Sequence, residues 1–249
     1  MQQAIQEGLF EVYYQPIVSV DSEHLVSIEA LIRWPHPEFG FVPPSEFIPI
    51  AEESGLILPL GEWVLRSVAA QIRDWNDQGL EGFRVAVNLS ARQFETNVPK
   101  MVRGILRESG ISSDSLGLEI TEGIAMKNVD HNIQMLRELN DLGLDISIDD
   151  FGTGYSLLAY LKRFPLTTLK IDRSFIVDIT NNCDDCAITK AIIAMGQNLR
   201  LKVLAEGVET DEQVRLLRES GCNYIQGYYY SKPLPVQDVL PYLKDRHLV

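Results

Sequence analysis

The sequence has few cysteines, no long apolar run and no surplus of basic residues. Its 249 residues include three cysteines, Cys183, Cys186 and Cys222, which are too few for a disulfide framework. Cys183 and Cys186 form a Cys-x-x-Cys pair without a second Cys or His pair nearby. We therefore expect ordinary cysteines at the start of a helix, with a metal or redox role as the alternative. No apolar stretch approaches the roughly 18 to 20 residues that span a bilayer.

The charge balance and the first residues limit the partners and the location. Residues 1–7 lack the basic and apolar segments of a secretory signal, so we expect a cytoplasmic domain without direct membrane contact. The 22 Lys and Arg residues against 35 Asp and Glu give a net charge of −13. This charge argues against binding to a DNA or RNA polymer, which requires clustered basic residues. A small anionic ligand remains compatible with it, because divalent cations in an acidic site reverse the local charge.

Short β-rich runs alternate with amphipathic stretches along the chain, which predicts βα units and a parallel sheet in one domain over residues 1–249. The predicted strands are Glu11–Val20, Val26–Trp34, Arg84–Leu89, Leu116–Thr121, Asp145–Asp149, Thr168–Asp172, Lys202–Ala205 and Tyr224–Gln226. The predicted helices are Ser45–Glu53, Glu62–Asn76, Pro99–Glu108, Asn128–Leu142, Ser156–Arg163, Asp185–Leu199, Asp211–Glu219 and Val236–Arg246.

The spacing of these elements favours a closed α/β barrel. Residues 21–25 alone separate the first two strands, a link too short for a parallel crossover, so these strands should form an antiparallel hairpin. The remaining strand–helix units, of roughly 20 to 35 residues, are typical of a (β/α)8 TIM-type barrel. An open doubly wound sheet is the alternative, but no Gly-x-Gly-x-x-Gly turn follows the first strand.

Acidic and amide residues recur at the C-terminal ends of the predicted strands, where barrel enzymes place their chemistry. The recurring residues are Glu29, Asn88, Glu119, Glu122, Asp149, Asp150, Asp172, Glu206, Glu209 and Gln226. On a closed barrel these side chains converge on one mouth, and so many carboxylates cannot all stay ionised without counter-cations. Carboxylate and amide oxygens select Mg²⁺, Mn²⁺ or Ca²⁺, so the pattern predicts a metal cluster.

The adjacent Asp149 and Asp150 refine this prediction, because successive side chains diverge at a strand end. Asp149 could bridge two ions while Asp150 holds one, and two ions about 3.5–4 Å apart suit phosphoryl displacement. Lys170 could hold an attacking hydroxide or neutralise charge on the phosphate; a structural salt bridge is the alternative. Residues 151–154 are interpreted as a glycine-containing loop over the mouth or as a simple turn.

The sequence resembles the EAL-domain phosphodiesterases, which hydrolyse the bacterial second messenger cyclic di-GMP. The tripeptide Glu29-Ala30-Leu31 alone has no specificity, but an ordered set of matching stretches covers nearly the whole chain. They are residues 13–18 (YYQPIV), 29–34 (EALIRW), 87–90 (VNLS), 118–122 (LEITE), 149–156 (DDFGTGYS), 169–175 (LKIDRSF), 205–210 (AEGVET) and 226–228 (QGY).

The resemblance implies a barrel whose first strand runs against the others, and it implies residue roles. The implied ligands of the first metal are Glu29, Asn88, Glu119 and Asp149. The second metal is implied at Asp149 and Asp150, with Glu206 at the metals or one water away. The implied catalytic residues are Lys170, which acts on the attacking water, Glu206 and Glu29. The implied substrate site comprises Gln15, Leu31, Ile32, Arg33, Asp172, Glu209 and Gln226. Glu122 is implied to steady the loop after Asp150 and to connect the site to a dimer interface.

The expected activity is therefore hydrolysis of cyclic di-GMP to linear 5′-pGpG with two Mg²⁺ or Mn²⁺ ions, inhibited by Ca²⁺, in a homodimer. A catalytically silent cyclic di-GMP receptor and an unrelated barrel metalloenzyme, such as an enolase-type lyase, are the alternatives. Leu157 stands where the family pattern leads us to expect a serine, and we expect it to affect loop packing more than chemistry. We further expect this domain to come from a longer signalling protein, which could be anchored in the inner membrane.

Overall fold

The computed structural model describes residues 1–154 and 159–248, which form a barrel of β-strands surrounded by helices. The strands are β1 (Glu11–Ser19), β2 (Leu25–His36), β3 (Gly40–Val42), β4 (Arg84–Asn88), β5 (Leu116–Thr121), β6 (Asp145–Phe151), β7 (Thr168–Ile171), β8 (Lys202–Ala205), β9 (Tyr224–Ile225) and β10 (Leu234–Pro235). The α-helices are α1 (Gln2–Gln6), α2 (Pro44–Ser54), α3 (Ile57–Asp77), α4 (Val98–Ser109), α5 (Glu122–Ala125), α6 (Val129–Asp141), α7 (Cys183–Asn198), α8 (Asp211–Glu219) and α9 (Val236–Asp245).

Eight of the strands close into a barrel. The parallel series runs from β2 through β4, β5, β6, β7 and β8 to β9. β1 closes it as an antiparallel strand between β2, where Gln15 lies opposite Glu29, and β9, where Val18 lies opposite Ile225. β3 and β10 are short antiparallel additions to β2 and β1. The predicted barrel with an antiparallel first strand is confirmed, and the open-sheet alternative is wrong.

The strands of the barrel are buried on both faces, as parallel strands covered by helices should be. In β5 every residue from Leu116 to Ile120 is buried, with Glu119 among them. The helices cover the barrel with apolar stripes, and the stripe of α3 is buried at Val64, Leu65, Val68, Ala69, Ile72 and Trp75. This packing positions the C-terminal strand ends around one mouth.

The largest boundary error in the predicted helices concerns α3, which begins at Ile57 rather than at Glu62. Pro59 and Gly61 look like helix breakers in the sequence. Pro59 lies in the first turn, where its missing N–H is not needed for an intrahelical bond. Gly61 lies close to the buried Gln93 side chain, since a Cβ atom there would be 2.3 Å from Gln93 Nε2.

A second difference concerns the helix predicted at Ser156–Arg163. Residues 155–158, which include Leu157, lie outside the described part of the chain, and Leu161–Arg163 forms a 3-10 turn instead of an α-helix. Cys183 begins α7, as expected for a cysteine at a helix start. Across residues 1–154 and 159–248 there is no helix with the length and apolar character of a membrane span.

Candidate active site

Seven of the predicted polar residues lie at the mouth formed by the C-terminal ends of the parallel strands. Their order around the barrel follows the order of the strands, and each of the seven parallel strands contributes one of these side chains. They are Glu29 in β2, Asn88 at the end of β4, Glu119 in β5, Asp149 in β6, Lys170 in β7, Glu206 directly after β8 and Gln226 directly after β9.

Lys170 is the centre of this group. Its side chain is 1% exposed, and its Nζ lies 2.6 Å from both Glu119 Oε2 and Glu206 Oε1. Asp149 Oδ2 is 3.2 Å away and Glu29 Oε2 is 3.7 Å away. Burial by itself would lower the pKa of Lys170, but these four carboxylates raise it well above its usual value. The ammonium is therefore charged at neutral pH.

The four carboxylates carry more negative charge than one ammonium neutralises. Burial raises the pKa of Glu206 to about 8, and burial together with Glu29 and Asp149 raises the pKa of Glu119 well above its usual value. Oxygens of Glu29, Glu119 and Asp149 lie within 4.8 Å of one another. These donors are the oxygen ligands that hard divalent cations select, and such a cation would supply the missing positive charge. The residues present therefore fit a metal ion.

Glu29 is held by hydrogen bonds from two amides. Asn88 Nδ2 donates to Glu29 Oε1 at 2.7 Å, and Gln226 Nε2 donates to Glu29 Oε2 at 2.6 Å. Gln226 Nε2 also lies 3.2 Å from Gln15 Oε1. Burial would raise the pKa of Glu29, but the charge of Lys170 and the two amide bonds lower it below its usual value. Glu29 is thus oriented as an ionised carboxylate.

The pairing of β6 with β7 is irregular at Asp149 and Asp150. The register of β6 against β7 shifts between Ile148 and Phe151, and Asp150 has a φ of +54°. This left-handed conformation is uncommon outside glycine, although Asp adopts it more readily than most residues. The Asp150 N–H donates to Asp149 Oδ1 at 2.8 Å. Burial and the neighbouring Asp149 raise the pKa of Asp150.

Glu122 contacts the segment that follows these aspartates. It begins α5, is buried, and its Oε2 accepts a hydrogen bond of 3.3 Å from the Gly152 N–H. Gly152 has a φ of +97°, and a Cβ atom there would lie 3.0 Å from Phe175 Cε2. The predicted reach of Glu122 to a neighbouring βα loop is present, while its wider role in steadying that loop stays a prediction.

A cavity of about 310 Å³ lies beside the acidic cluster. Five of the predicted substrate residues line it: Gln15, Leu31, Arg33, Glu209 and Gln226. Ile32 lines a neighbouring cavity of about 620 Å³, together with Arg33 and Asn88. The Asp172 side chain instead accepts hydrogen bonds from the N–H and the hydroxyl of Ser174, at 2.9 and 2.5 Å.

Sequence reasoning missed Arg173, Gly207 and Tyr228, which also line the 310 Å³ cavity. Each lies within two residues of a predicted site residue, in stretches 169–175, 205–210 and 226–228. Their neighbours supplied the carboxylates and amides on which the metal prediction depended, so these three residues carried no separate signal. Only the folded structure brings the Arg173 guanidinium, the backbone of Gly207 and the Tyr228 ring to the same cavity.

Comparison with known protein families identifies the family to which a chain with this barrel and this acidic cluster belongs. The sequence model of the EAL domain matches residues 1–233, so the chain belongs to the EAL domain family.

Among curated proteins, the chain is 44% identical over 241 residues to the bifunctional diguanylate cyclase/cyclic di-GMP phosphodiesterase MucR of Pseudomonas aeruginosa. It is 45% identical over 245 residues to the cyclic di-GMP phosphodiesterase NbdA of the same organism. These alignments cover 96% and 98% of this chain but 35% and 31% of the two relatives. The chain thus spans about a third of their length.

Solved structures show the same fold. The P. aeruginosa MucR phosphodiesterase in complex with c-di-GMP has a TM-score of 0.92 at 44% identity, covering 96% of this chain and 97% of that one. The FimX EAL domain of P. aeruginosa bound to c-di-GMP has a TM-score of 0.86 at 26% identity, covering 94% of each chain. The barrel described here is therefore the EAL-domain barrel.

Proposed function

We propose that this domain is a metal-dependent phosphodiesterase that hydrolyses cyclic di-GMP to linear 5′-pGpG. The observation that carries the proposal is the buried cluster in which Lys170 meets Glu29, Glu119, Asp149 and Glu206 beside an open cavity. The names of the relatives MucR and NbdA and the c-di-GMP complex of the MucR phosphodiesterase support the choice of substrate.

The proposed ligands of a first Mg²⁺ or Mn²⁺ ion are Glu29, Asn88, Glu119 and Asp149. Asp149 and Asp150 would serve a second ion, with Glu206 at the ions or one water away. Such ions would make an attacking water more acidic and stabilise negative charge on the phosphate oxygens. Ca²⁺ is larger and takes more ligands, so it should bind without supporting turnover.

Lys170 and Arg33 have separate proposed tasks. Lys170 keeps its charge among four carboxylates, so its Nζ would orient the attacking water by donating a hydrogen bond to it. Hydrogen bonds from Asn88 and Gln226 orient Glu29, and its carboxylate would point toward the same attacking water. Arg33 lies at the cavity, where its guanidinium would contact a phosphate of the substrate.

We also propose the setting in which the domain works. It would act as the phosphodiesterase part of a longer cytoplasmic signalling protein, since the curated relatives are about three times its length. Glu122, through Gly152, would connect the site to a homodimer interface on the helices flanking that loop. Light scattering over a dilution series tests the dimer: a strict monomer with full activity contradicts it.

The test of the proposed activity is an incubation with cyclic di-GMP in Mg²⁺, Mn²⁺, Ca²⁺ or EDTA, with pGpG measured by chromatography. We expect pGpG in Mg²⁺ and Mn²⁺ and almost none in Ca²⁺ or EDTA. Glu29→Gln should abolish turnover, whereas Glu108→Gln, which changes an exposed carboxylate in an ion pair with Arg66, should not. Binding of cyclic di-GMP without any pGpG would identify a receptor instead, and hydrolysis in excess chelator would contradict the role of metal ions.

A further inference from the structure

Arg173 lies on the rim of the 310 Å³ cavity, at the start of the 3-10 turn that follows β7. Its aliphatic chain crosses the backbone of Gly207, where a Cβ atom would lie 2.2 Å from Arg173 Cγ and 2.8 Å from Cδ. Its Nη2 then reaches Glu209 Oε1 at 2.8 Å. Gly207 also has a φ of +70°. The glycine is therefore what allows Arg173 to extend from β7 to Glu209.

Folding stability does not account for this arrangement. The Arg173 and Glu209 side chains are 56% and 43% exposed, and exposed ion pairs contribute little to stability because water screens them. The pair does place a fixed cation next to a fixed carboxylate, both on the cavity. A ligand that enters the cavity meets a donor and an acceptor side by side.

The other walls of the cavity suit a flat aromatic ligand. Gly227 lies so close to the backbone that a Cβ atom there would be 2.0 Å from the Val208 carbonyl oxygen, so this part of the wall is bare backbone. The Tyr228 ring is 52% exposed, with Lys232 Nζ 5.3 Å from its centroid. Exposed aromatic rings offer stacking surfaces to nucleic-acid bases.

A guanine edge is complementary to the pair of Arg173 and Glu209. Guanine presents O6 and N7 as acceptors, which an arginine contacts with two N–H donors. Its N1–H and N2 amino group are donors, which a carboxylate accepts. Adenine keeps the acceptor at N7 but carries an amino donor at position 6 and an acceptor at N1, so Arg173 would face one donor and Glu209 one acceptor. A site built to hydrogen-bond one ligand rejects the analogue that leaves its polar groups unpaired.

We propose that Arg173 is a specificity-determining residue that reads O6 and N7 of one guanine of the cyclic dinucleotide, next to Glu209, which accepts from N1–H and N2. This inference rests on the proposed function for its substrate class. It adds a residue that selects the base and that has no part in the metal cluster.

The test compares Arg173→Met, which keeps the aliphatic chain and removes the donors, with the wild type. The matched control is Arg66→Met, because Arg66 is similarly exposed and paired with Glu62 and Glu108 away from the cavity. For each protein, kcat and KM are measured with cyclic di-GMP, and cyclic di-AMP is titrated as a competitor to obtain its Ki.

In Arg173→Met we expect KM for cyclic di-GMP to rise about 10- to 100-fold, the range of one lost bidentate base contact, with kcat within about threefold. The Ki of cyclic di-AMP should change by less than about threefold, so the preference for guanine falls. Arg66→Met should match the wild type. Equal increases in KM for cyclic di-GMP and in Ki for cyclic di-AMP would overturn the inference. They would mean that Arg173 only holds the residues around the cavity in place, without distinguishing the bases.

Failure of the proposed function gives a different result. If the wild type produces no pGpG, the dissociation constants of cyclic di-GMP and cyclic di-AMP are measured by calorimetry in Ca²⁺ for the same three proteins. If cyclic di-GMP binds more tightly than cyclic di-AMP and only Arg173→Met loses this preference, the role of Arg173 in selecting guanine is supported for a domain that binds without hydrolysis. No guanine preference in the wild type, or no binding of either dinucleotide, overturns it.

Discussion

We expect the half-buried carboxyl of Glu206 to make the metal-free protein less stable as the pH rises from 5 to 8. In the unfolded chain this carboxyl titrates near 4.5, whereas burial raises its pKa to about 8 in the folded protein, even against the opposing charge of Lys170. The folded state therefore binds the proton more tightly than the unfolded state. The stability gained in this way is fully present below the unfolded pKa and is lost as the pH rises through the folded pKa.

The size of the loss follows from the two pKa values. One pKa unit corresponds to about 1.4 kcal/mol, and most of the interval between the two pKa values lies between pH 5 and pH 8. Glu206 alone should therefore remove about 3 to 4 kcal/mol of unfolding free energy over that range. Divalent cations should suppress the loss, because they stabilise the ionised carboxylate that the metal-free site disfavours.

Urea denaturation in EDTA at pH 5, 6, 7 and 8 measures this effect. Glu206→Gln carries an amide that does not titrate. Between pH 5 and pH 8 the unfolding free energy of this variant should therefore fall by about 3 kcal/mol less than that of the wild type. Glu108→Gln, which changes a fully exposed carboxylate, should keep the wild-type pH dependence. Parallel pH profiles for the wild type and Glu206→Gln would refute the reasoning, as would an equally steep loss in saturating Mg²⁺.

Three further predictions concern residues around the site. Lys170→Met should lower kcat by a factor of about 100 or more, since it removes the group that we propose orients the attacking water, while cyclic di-GMP still binds in Ca²⁺ by calorimetry. Glu122→Gln, which weakens the hydrogen bond to the Gly152 N–H, should reduce kcat and raise the Mg²⁺ concentration for half-maximal activity, measured by metal titration. Tyr13 lies with its ring 5.7 Å from the Arg33 guanidinium, so Tyr13→Leu should raise KM several-fold at nearly constant kcat and Tyr13→Phe should not, as steady-state kinetics would reveal.

Each of these predictions has an opposite outcome. Loss of binding in step with turnover would make Lys170 a substrate contact. An unchanged Mg²⁺ requirement in Glu122→Gln would reduce Glu122 to a local helix-end contact. Equal KM values for the Leu and Phe variants of Tyr13 would show that the aromatic ring does not position Arg33.

The fold and the acidic cluster could be predicted because both depend on spacing along the chain. The five-residue link between β1 and β2 excludes a parallel crossover, and the polar residues follow the apolar strands in phase. Glu29, Glu119 and Asp149 are far apart in sequence, yet parallel strands bring their ends to one mouth. The convergence of these carboxylates therefore follows from the strand pattern and barrel closure together.

The parts that escaped prediction depend on tertiary contacts. The bulge at Asp150 arises where Phe151 pairs with Ile171, and nothing local in the sequence requires it. The early start of α3 places Gly61 against the buried Gln93 side chain, a neighbour that the local sequence does not reveal. The ion pair between Arg173 and Glu209 joins residues from separate loops, so neither side chain signals its partner in the sequence.

The closure of the barrel by the antiparallel strand β1 also affects the order in which the parts of the site assemble during folding. Gln226 follows the last barrel strand, and it bonds Gln15 and Glu29 across sequence separations of 211 and 197 residues. Contacts between residues so far apart in the sequence form late, since a long loop must close before they contribute to stability. Helices and early strands can therefore form while the Glu29 carboxylate still lacks its amide partner. During refolding, catalytic competence should appear after most of the helical signal has returned.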